Sequence, residues 1–190
     1  MSDDPTMRGA SRAYIVKACE ASLKRLKTDW IDLYQVHQPD ADTPADETMG
    51  ALDDLIKQGK VRHIGSSNYS ADQLDEAQDA ASGNGWAGFV ACQDHYSLLA
   101  RDIDDALLPA ITRRGLGLLP YFPLASGFLT GKYTRANPPP AGTRMANRLP
   151  DSVANGAREQ AVLGRVGQVE DIAEQVHTYV TSTSISGQIM

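Results

Sequence analysis

The sequence predicts an α/β fold, a partial (β/α)8 TIM barrel in which about four to five parallel strands alternate with helices. Predicted strands begin near residues 31, 61, 88 and 117 with one helix in each interval, so the chain repeats a βα unit of roughly 30 residues. Parallel strands need such crossovers. A polar residue ends each predicted strand, as expected where barrel strands converge on one site: His37, Asn68, Gln93 and Tyr121. A complete barrel takes about 250 residues, and the chain has 190.

An open doubly wound sheet is the alternative architecture, because Gly83–Gly88 matches the GxGxxG pattern of dinucleotide-binding folds. That match follows a predicted helix and precedes a predicted strand, which reverses the required order. A pyrophosphate site needs a helix N-terminus, and this segment does not provide one. We therefore interpret the segment as a helix-ending turn and favour the barrel.

Composition and charge exclude several classes of function. The net charge is -6 and no basic run is present, so nucleic acid and anionic membrane surfaces are not expected partners. No apolar run approaches membrane-spanning length and no secretory signal is visible, so a cytoplasmic location is expected. Cys19 and Cys92 lie in separate apolar patterns and are predicted to be free buried thiols. CxxC and HExxH motifs are absent, and no metal site is predicted.

The first predicted elements are an amphipathic helix and a strand. Ser11 is a suitable N-cap for the helix. Its predicted inner face comprises Ile15, Ala18, Cys19, Ser22, Leu23 and Leu26. The strand that follows should stop at or before Pro39, because proline cannot donate to a ladder. This places His37 at the carboxyl end of the strand, where parallel α/β folds bind ligands. A histidine that only hydrogen-bonds the next loop is the alternative.

Two more helices are predicted on either side of a second strand. The first carries Thr48, Leu52, Leu55 and Ile56 on one face, and Gly59 follows its end. Residues 61–65 form the second strand, which runs into Ser66, Ser67 and Asn68. Ser70 and Gln73 then form a capping box. The helix that they begin is expected to bury Leu74, Ala77 and Ala81 and to break at Ser82–Gly85.

Two further strands complete the predicted repeat. The third strand is expected over Gly88–Gln93, and a helix near Asp104–Arg114 is closed by Gly115. The fourth strand is expected over Gly117–Tyr121, with the loop Phe122–Gly127 at its carboxyl end.

Four segments in order resemble the aldo-keto reductases, barrel enzymes that reduce aldehydes and ketones with NADPH. The matching segments are DLYQVHQPD (Asp32–Asp40), GKVRHIGSSN (Gly59–Asn68), QDHYSLL (Gln93–Leu99) and YFPLASGFLTGKY (Tyr121–Tyr133). The resemblance covers about residues 11–133 and implies a small carbonyl substrate and NADPH as cofactor. A shorter stretch, about residues 160–188, resembles the end of short-chain dehydrogenases.

The resemblance also implies roles for individual residues. His37 matches the active-site histidine that orients and polarises the substrate carbonyl. Positions that hydrogen-bond the nicotinamide carboxamide match Ser67, Asn68 and Gln93, and the aromatic that stacks on that ring matches Tyr121. The loop along the pyrophosphate matches Phe122, Leu124, Ser126 and Gly127. For each cofactor residue, an ordinary barrel hydrogen bond or core contact is the alternative.

Two departures from the family pattern shape the expected function. In the family, the first three strands supply a catalytic tyrosine, lysine and aspartate, and those strands have no counterpart in this chain. Tyr14 and Lys17 fall inside the first predicted helix and are not assigned these roles. The basic motif that grips the adenosine 2′-phosphate is not visible either. We therefore expect an oxidoreductase that is inactive or weak as this chain. The alternatives are a non-catalytic protein that binds nucleotide or a partner subunit, and a metal-dependent hydrolase using His37 and Asp40.

The expected organisation has four parts. Residues 1–10 form a disordered leader, residues 11–135 the partial barrel, residues 136–158 a Pro/Gly-rich loop and residues 159–190 a C-terminal helical segment. An open parallel edge at the first strand leaves unpaired N–H and C=O groups, so self-association through that edge is expected.

Overall fold

The computed structural model describes residues 8–132 and Pro140. Four helices and four strands alternate along this part of the chain. The helices are α1 (Arg12–Leu26), α2 (Ala45–Lys57), α3 (Ala71–Asn84) and α4 (Leu107–Arg114). The strands are β1 (Ile31–Val36), β2 (Val61–Ser67), β3 (Ala91–His95) and β4 (Gly117–Tyr121), followed by a 3₁₀ helix over Ala125–Thr130. The predicted segments 136–158 and 159–190, and most of the predicted leader, lie outside the described residues.

The strands form one sheet in the order β1-β2-β3-β4, so sequential strands are neighbours. Ile31 of β1 pairs with Val61 of β2 in parallel register, and Ser67 of β2 pairs with Gln93 of β3. Parallel strands alternating with helices confirm the predicted fold class and are consistent with part of a (β/α)8 barrel. None of the helices in the described part of the chain has the length and apolar character of a membrane span.

The structure divides into two compact units. The first holds the chain up to Asp94 together with Ile103–Leu119, and the second holds His95–Asp102 and the chain from Pro120 onward. The first unit contains α1 to α4, β1, β2, most of β3 and the first three residues of β4.

The core of the first unit is centred on α2, which contacts both α1 and α3. Met49, Leu52 and Leu55 of α2 are fully buried, as are Ile64 of β2 and Leu74 of α3. Burying one such side chain contributes about 1.5–3 kcal/mol before its entropy cost. This core fixes the position of β2 in the sheet, and so the position of the residues that follow β2.

Helix ends confirm most of the predicted capping residues. The N–H of Tyr14 donates to Ser11 Oγ at the start of α1, and Ser70 and Gln73 form the complete capping box of α3. At the end of α2, Gly59 N–H donates to Ile56 O and Lys60 N–H to Leu55 O, which is a Schellman motif with Gly59 at φ 72°. The segment Gly83–Gly88 ends α3 at Gly85, in the left-handed region, so its interpretation as a helix-ending turn is confirmed.

Two predicted details are wrong. Leu26 is 63% exposed, because α1 ends there and Lys27 turns into the left-handed region. Helix α4 begins at Leu107 rather than near Asp104. Helix α3 ends within the predicted break Ser82–Gly85, with Asn84 as its last residue and Gly85 as its C-cap.

The third strand begins three residues later than predicted, at Ala91 rather than Gly88. The side-chain amide of Gln78 explains the delay: its Oε1 accepts the N–H of Phe89 at 2.8 Å, and its Nε2 donates to the carbonyl of Phe89 at 3.2 Å. Both backbone groups of Phe89 are therefore bonded to a helix side chain and not to a neighbouring strand. A Cβ at Gly88 would lie 2.7 Å from Gln78 Oε1, so a larger residue at this position would displace the amide that bonds Phe89.

Replacing Gln78 should therefore destabilise the fold. Gln78→Ala leaves the N–H and C=O of Phe89 unbonded in a residue that is buried, and we expect a loss of about 1–3 kcal/mol in the free energy of unfolding. Urea denaturation followed by circular dichroism measures it. Glu76→Ala is the matched control, because Glu76 is an exposed residue of the same helix. Equal stability of the two variants would contradict this assignment.

Candidate functional site

The carboxyl ends of β1, β2 and β3 lie side by side because of the sheet register. Val36 pairs with Ser66, and Ser67 pairs with Gln93. The chain leaves β1 at His37 and β2 at Asn68, so these two residues and Gln93 lie at the same edge of the sheet. The structure thus brings together the first-unit residues that the sequence predicts at the site: His37, Ser67, Asn68 and Gln93.

Asn68 is the residue that joins the three strand ends. Its side-chain Nδ2 donates to the backbone carbonyl of His37 and to Ser67 Oγ, both at 2.9 Å. Ser67 Oγ donates in turn to the carbonyl of Gln93 at 2.6 Å. The backbone of Asn68 is left-handed, with φ 59°, a conformation that asparagine adopts more readily than most residues. An amide and a hydroxyl are therefore fixed at one point of the sheet edge.

Asp94 is a member of this cluster that the sequence analysis did not select. Its Oδ1 accepts the N–H of Asn68 at 3.1 Å, and the carbonyl of Gln93 lies 3.4 Å from the same nitrogen. Burial raises the pKa of the Asp94 carboxyl, and the hydrogen bond from Asn68 partly opposes that shift. A sequence signal exists, since Asp94 directly follows the predicted strand Gly88–Gln93 and a buried acid requires a partner.

The two cysteines are free and buried, as predicted. Cys92 Sγ accepts a hydrogen bond from Ser66 Oγ at 3.2 Å, and burial raises the pKa of the Cys92 thiol to about 11. The pKa of the Cys19 thiol is also raised, mainly by burial. Both thiols are structural groups of the first unit.

A cavity of about 480 Å³ lies along β1 and α1. Its lining includes Tyr14, Tyr34, His37 and the loop residue Asp40. Burial is the main cause that raises the pKa of Tyr34 to about 12, so this phenol stays protonated at neutral pH. His37 is exposed and can form hydrogen bonds with a ligand. Tyr14 and Lys17 lie within α1, as expected.

The loop after β1 is organised around Asp40. Its Oδ2 accepts the N–H of Ala10 at 2.8 Å and the hydroxyl of Thr43 at 2.7 Å. These bonds, that from Ala10 first, hold the pKa of the Asp40 carboxyl below its ordinary value. The carboxylate oxygens are thus bonded within the protein. No group of three or more possible metal ligands occurs among residues 8–132, and the metal-hydrolase alternative gains no support from this part of the chain.

The second unit contains the remaining predicted residues. Tyr121 stacks on His95 with ring centroids 5.3 Å apart and planes 7° from parallel, and Phe122 meets both rings edge-on. The loop that follows is strongly bent: φ is positive at Phe122, Ala125, Ser126 and Gly127. Leu124 is 42% exposed, and its carbonyl accepts the N–H of Gly127 at 2.8 Å.

Comparison with known proteins identifies the family. Residues 1–185 match the profile of the "Aldo/keto reductase family". The four parallel strands, the alternating helices and this match together place the chain in the aldo-keto reductase family.

The relatives include both enzymes and a channel subunit. A protein of Arabidopsis thaliana named "Probable voltage-gated potassium channel subunit beta" is 36% identical over 183 residues, which is 96% of this chain and 56% of that protein. The "Uncharacterized oxidoreductase YrpG" of Bacillus subtilis is 45% identical over 77% of this chain and 44% of its own length. The "Versiconal hemiacetal acetate reductase" of Aspergillus parasiticus is 32% identical over 86% of this chain and 47% of its own length. The chain spans about half the length of these relatives.

The family match corrects one expectation. It runs through residue 185 and so includes most of the stretch at about 160–188 that resembles short-chain dehydrogenases. That second resemblance is not supported. The stretch lies outside the described residues.

The bonds of Asp40 lead to a pH-dependent prediction. Asp40→Ala removes the acceptor for Ala10 and Thr43, and we expect it to cost about 1–3 kcal/mol of unfolding free energy at neutral pH. Because the folded-state pKa of Asp40 lies below the ordinary 3.8, this contribution is complete above pH 3.8 and is lost as the pH falls through the folded-state value. Urea denaturation of both proteins over this range measures it.

Asp42→Ala is the matched control, because Asp42 is an exposed acid of the same loop. A difference between the Asp40 variant and the unmodified chain that does not shrink under acid conditions would contradict the assignment.

Proposed function

We propose that the chain is part of an oxidoreductase that reduces aldehydes or ketones with NADPH, and that the 190-residue chain alone reduces them weakly or not at all. The observation that carries the proposal is the cluster of Ser67, Asn68 and Gln93 at one sheet edge, directly beside the end of β1 at His37.

This cluster has the chemistry that a nicotinamide carboxamide requires. A carboxamide has two N–H donors and one carbonyl acceptor, and the side chains of asparagine, glutamine and serine supply both kinds of partner. Asn68 and Ser67 are already fixed by bonds to the carbonyls of His37 and Gln93, so little side-chain freedom is lost on binding. We assign the three side chains to the carboxamide.

His37 is the proposed substrate-orienting group. Bound NADPH would supply the hydride for the carbonyl carbon, and solvent water the proton for its oxygen. The imidazole of His37 would donate a hydrogen bond to the carbonyl oxygen. Such a bond strengthens as negative charge develops on that oxygen. The exposed position of His37, beside the cavity along β1, leaves the imidazole accessible to a small carbonyl compound.

The residues of the second unit have separate proposed roles. We assign the ring of Tyr121 to stacking on the nicotinamide, with His95 on its other side. The bent loop with Phe122, Leu124, Ser126 and Gly127 is assigned to the pyrophosphate. Gly127 has φ 95°, a backbone conformation that only glycine adopts without strain.

Weak activity is proposed because the described strand ends lack a strong proton donor. No lysine follows β1, β2, β3 or β4 directly in the described part of the chain, and the sequence shows no counterpart of the family's tyrosine and lysine. General-acid catalysis is commonly worth about 10² to 10⁴ in rate. A full enzyme would require a Tyr–Lys pair from elsewhere.

A second candidate function is a non-catalytic subunit that binds nucleotide and a partner chain. The Arabidopsis thaliana relative named as a potassium channel subunit favours this candidate. Two observations support both candidates equally. They are the cluster of Ser67, Asn68 and Gln93, and the position of β1 at the edge of the described sheet. The predicted four-part organisation, the cytoplasmic location and the lack of a nucleic-acid partner remain proposals for either.

NADPH binding tests the main proposal. We expect a Kd weaker than about 10 μM, because the sequence shows no counterpart of the 2′-phosphate motif. Asn68→Ala should weaken binding by about fivefold to fiftyfold through lost hydrogen bonds, and Gln93→Ala by a similar factor. A fluorescence or NMR titration of the 190-residue chain measures both.

Asn84→Ala is the matched control, since Asn84 is exposed at the end of α3. An unchanged Kd for Asn68→Ala in a folded protein would overturn the carboxamide assignment. Consumption of NADPH with benzaldehyde distinguishes the two candidates: a rate that His37→Gln abolishes supports the enzyme, and no rate despite binding supports the non-catalytic subunit.

Self-association through β1 is a further expectation of the proposal. A strand at the edge of a parallel sheet presents backbone groups that a second chain can pair with. We expect light scattering after size-exclusion chromatography to show a dimer or larger species, and Leu33→Lys to shift it toward monomer by placing a charge on β1. Val90→Lys places the same charge at an exposed position outside β1 and should leave the oligomeric state unchanged. A stable monomer of the unmodified chain would refute this expectation.

A further inference from the structure

Asp94 is a buried acid whose role the proposed cofactor contacts do not explain. It lies in β3, one residue after Gln93, and it is 5% exposed. Burying a carboxyl group is unfavourable unless hydrogen bonds compensate for the lost water. The bond that the structure gives this carboxyl is from the backbone N–H of Asn68, at 3.1 Å. The acid is thus directed at the backbone of one residue.

The backbone of Asn68 requires such a partner. Its φ of 59° is a conformation that residues other than glycine adopt at a cost, and surrounding contacts must maintain it. The carbonyl of Gln93 is a weaker partner for the same N–H, at 3.4 Å. The left-handed turn at Asn68 in turn directs its side chain toward the carbonyl of His37 and the hydroxyl of Ser67.

We infer that Asp94 is a positioning residue for cofactor binding: its carboxylate holds the backbone N–H of Asn68 and thereby fixes the side chain that meets the nicotinamide carboxamide. This inference rests on the proposed function of Asn68. Asp94 itself makes no contact with the cofactor in this scheme. Its effect passes through the conformation of a single residue.

Asp53 provides an internal comparison. It is also a buried acid, 4% exposed, and its Oδ1 accepts a backbone N–H, that of Ala87, at 3.0 Å. Asp53 also pairs with Lys57 and lies in α2, which carries none of the proposed cofactor residues. The two acids therefore make the same kind of bond. They differ in whether that bond holds a residue of the proposed site.

The test uses the 190-residue chain and two variants at the same position. In Asp94→Ala the amide hydrogen of Asn68 should exchange with solvent about tenfold faster, since one hydrogen bond is lost. NADPH should bind at least about fivefold more weakly, as measured by NMR chemical-shift titration. Asp94→Asn retains an oxygen acceptor and should restore both values to within about twofold of the unmodified chain.

Asp53→Ala is the control for simple destabilisation. It should lower the free energy of unfolding without changing the exchange of the Asn68 amide or the affinity for NADPH. If Asp94→Ala does not fold, Asp94→Val gives the same comparison, because valine suits a buried strand position.

Two results would overturn the inference: unchanged exchange at Asn68 in a folded Asp94→Ala protein, or equal loss of NADPH affinity in the Asp94 and Asp53 variants. Failure of the proposed function gives a different result. In that case the unmodified chain shows no NADPH-dependent shifts at Ser67, Asn68 or Gln93, and exchange at Asn68 alone then decides whether Asp94 fixes its conformation.

Discussion

The hydrogen bonds of Asn68 are the constraint on which the first unit's site depends. One residue connects the ends of β1, β2 and β3 through its side chain and its backbone N–H. Parallel strands alone would place three carboxyl ends near each other, but they would not fix the side chains there. The left-handed turn at Asn68 does so, and Asp94 and Gln93 accept its N–H. The geometry of the site is therefore set at the first residue after β2.

Local signals in the sequence were sufficient to predict most of the fold. Ser11, Ser70 and Gln73 act as caps through their own side chains, and Gly59 and Gly115 occupy left-handed positions that favour glycine. Each of these effects involves residues within a few positions of each other. The strand-end residues of the candidate site were predictable for a related reason, because strand order and register follow from the βα repeat.

The rest depended on contacts between residues distant in sequence. The late start of β3 results from Gln78 bonding both backbone groups of Phe89, 11 residues away. The bond between Asp94 and Asn68 spans 26 residues. Leu26 is exposed because it is the last residue of α1. Helical periodicity alone places Leu26 on the buried face, one turn after Leu23. Long-range bonds leave no periodic trace in a single sequence.

The burial of both cysteines has a practical consequence for spectroscopy. The thiolate is the reactive form, and burial disfavours it for Cys19 and Cys92 alike. Maleimide or methanethiosulfonate reagents at neutral pH will therefore modify these native side chains slowly. A thiol introduced at an exposed position would react first, so a fluorophore or spin label can be attached without replacing either native cysteine.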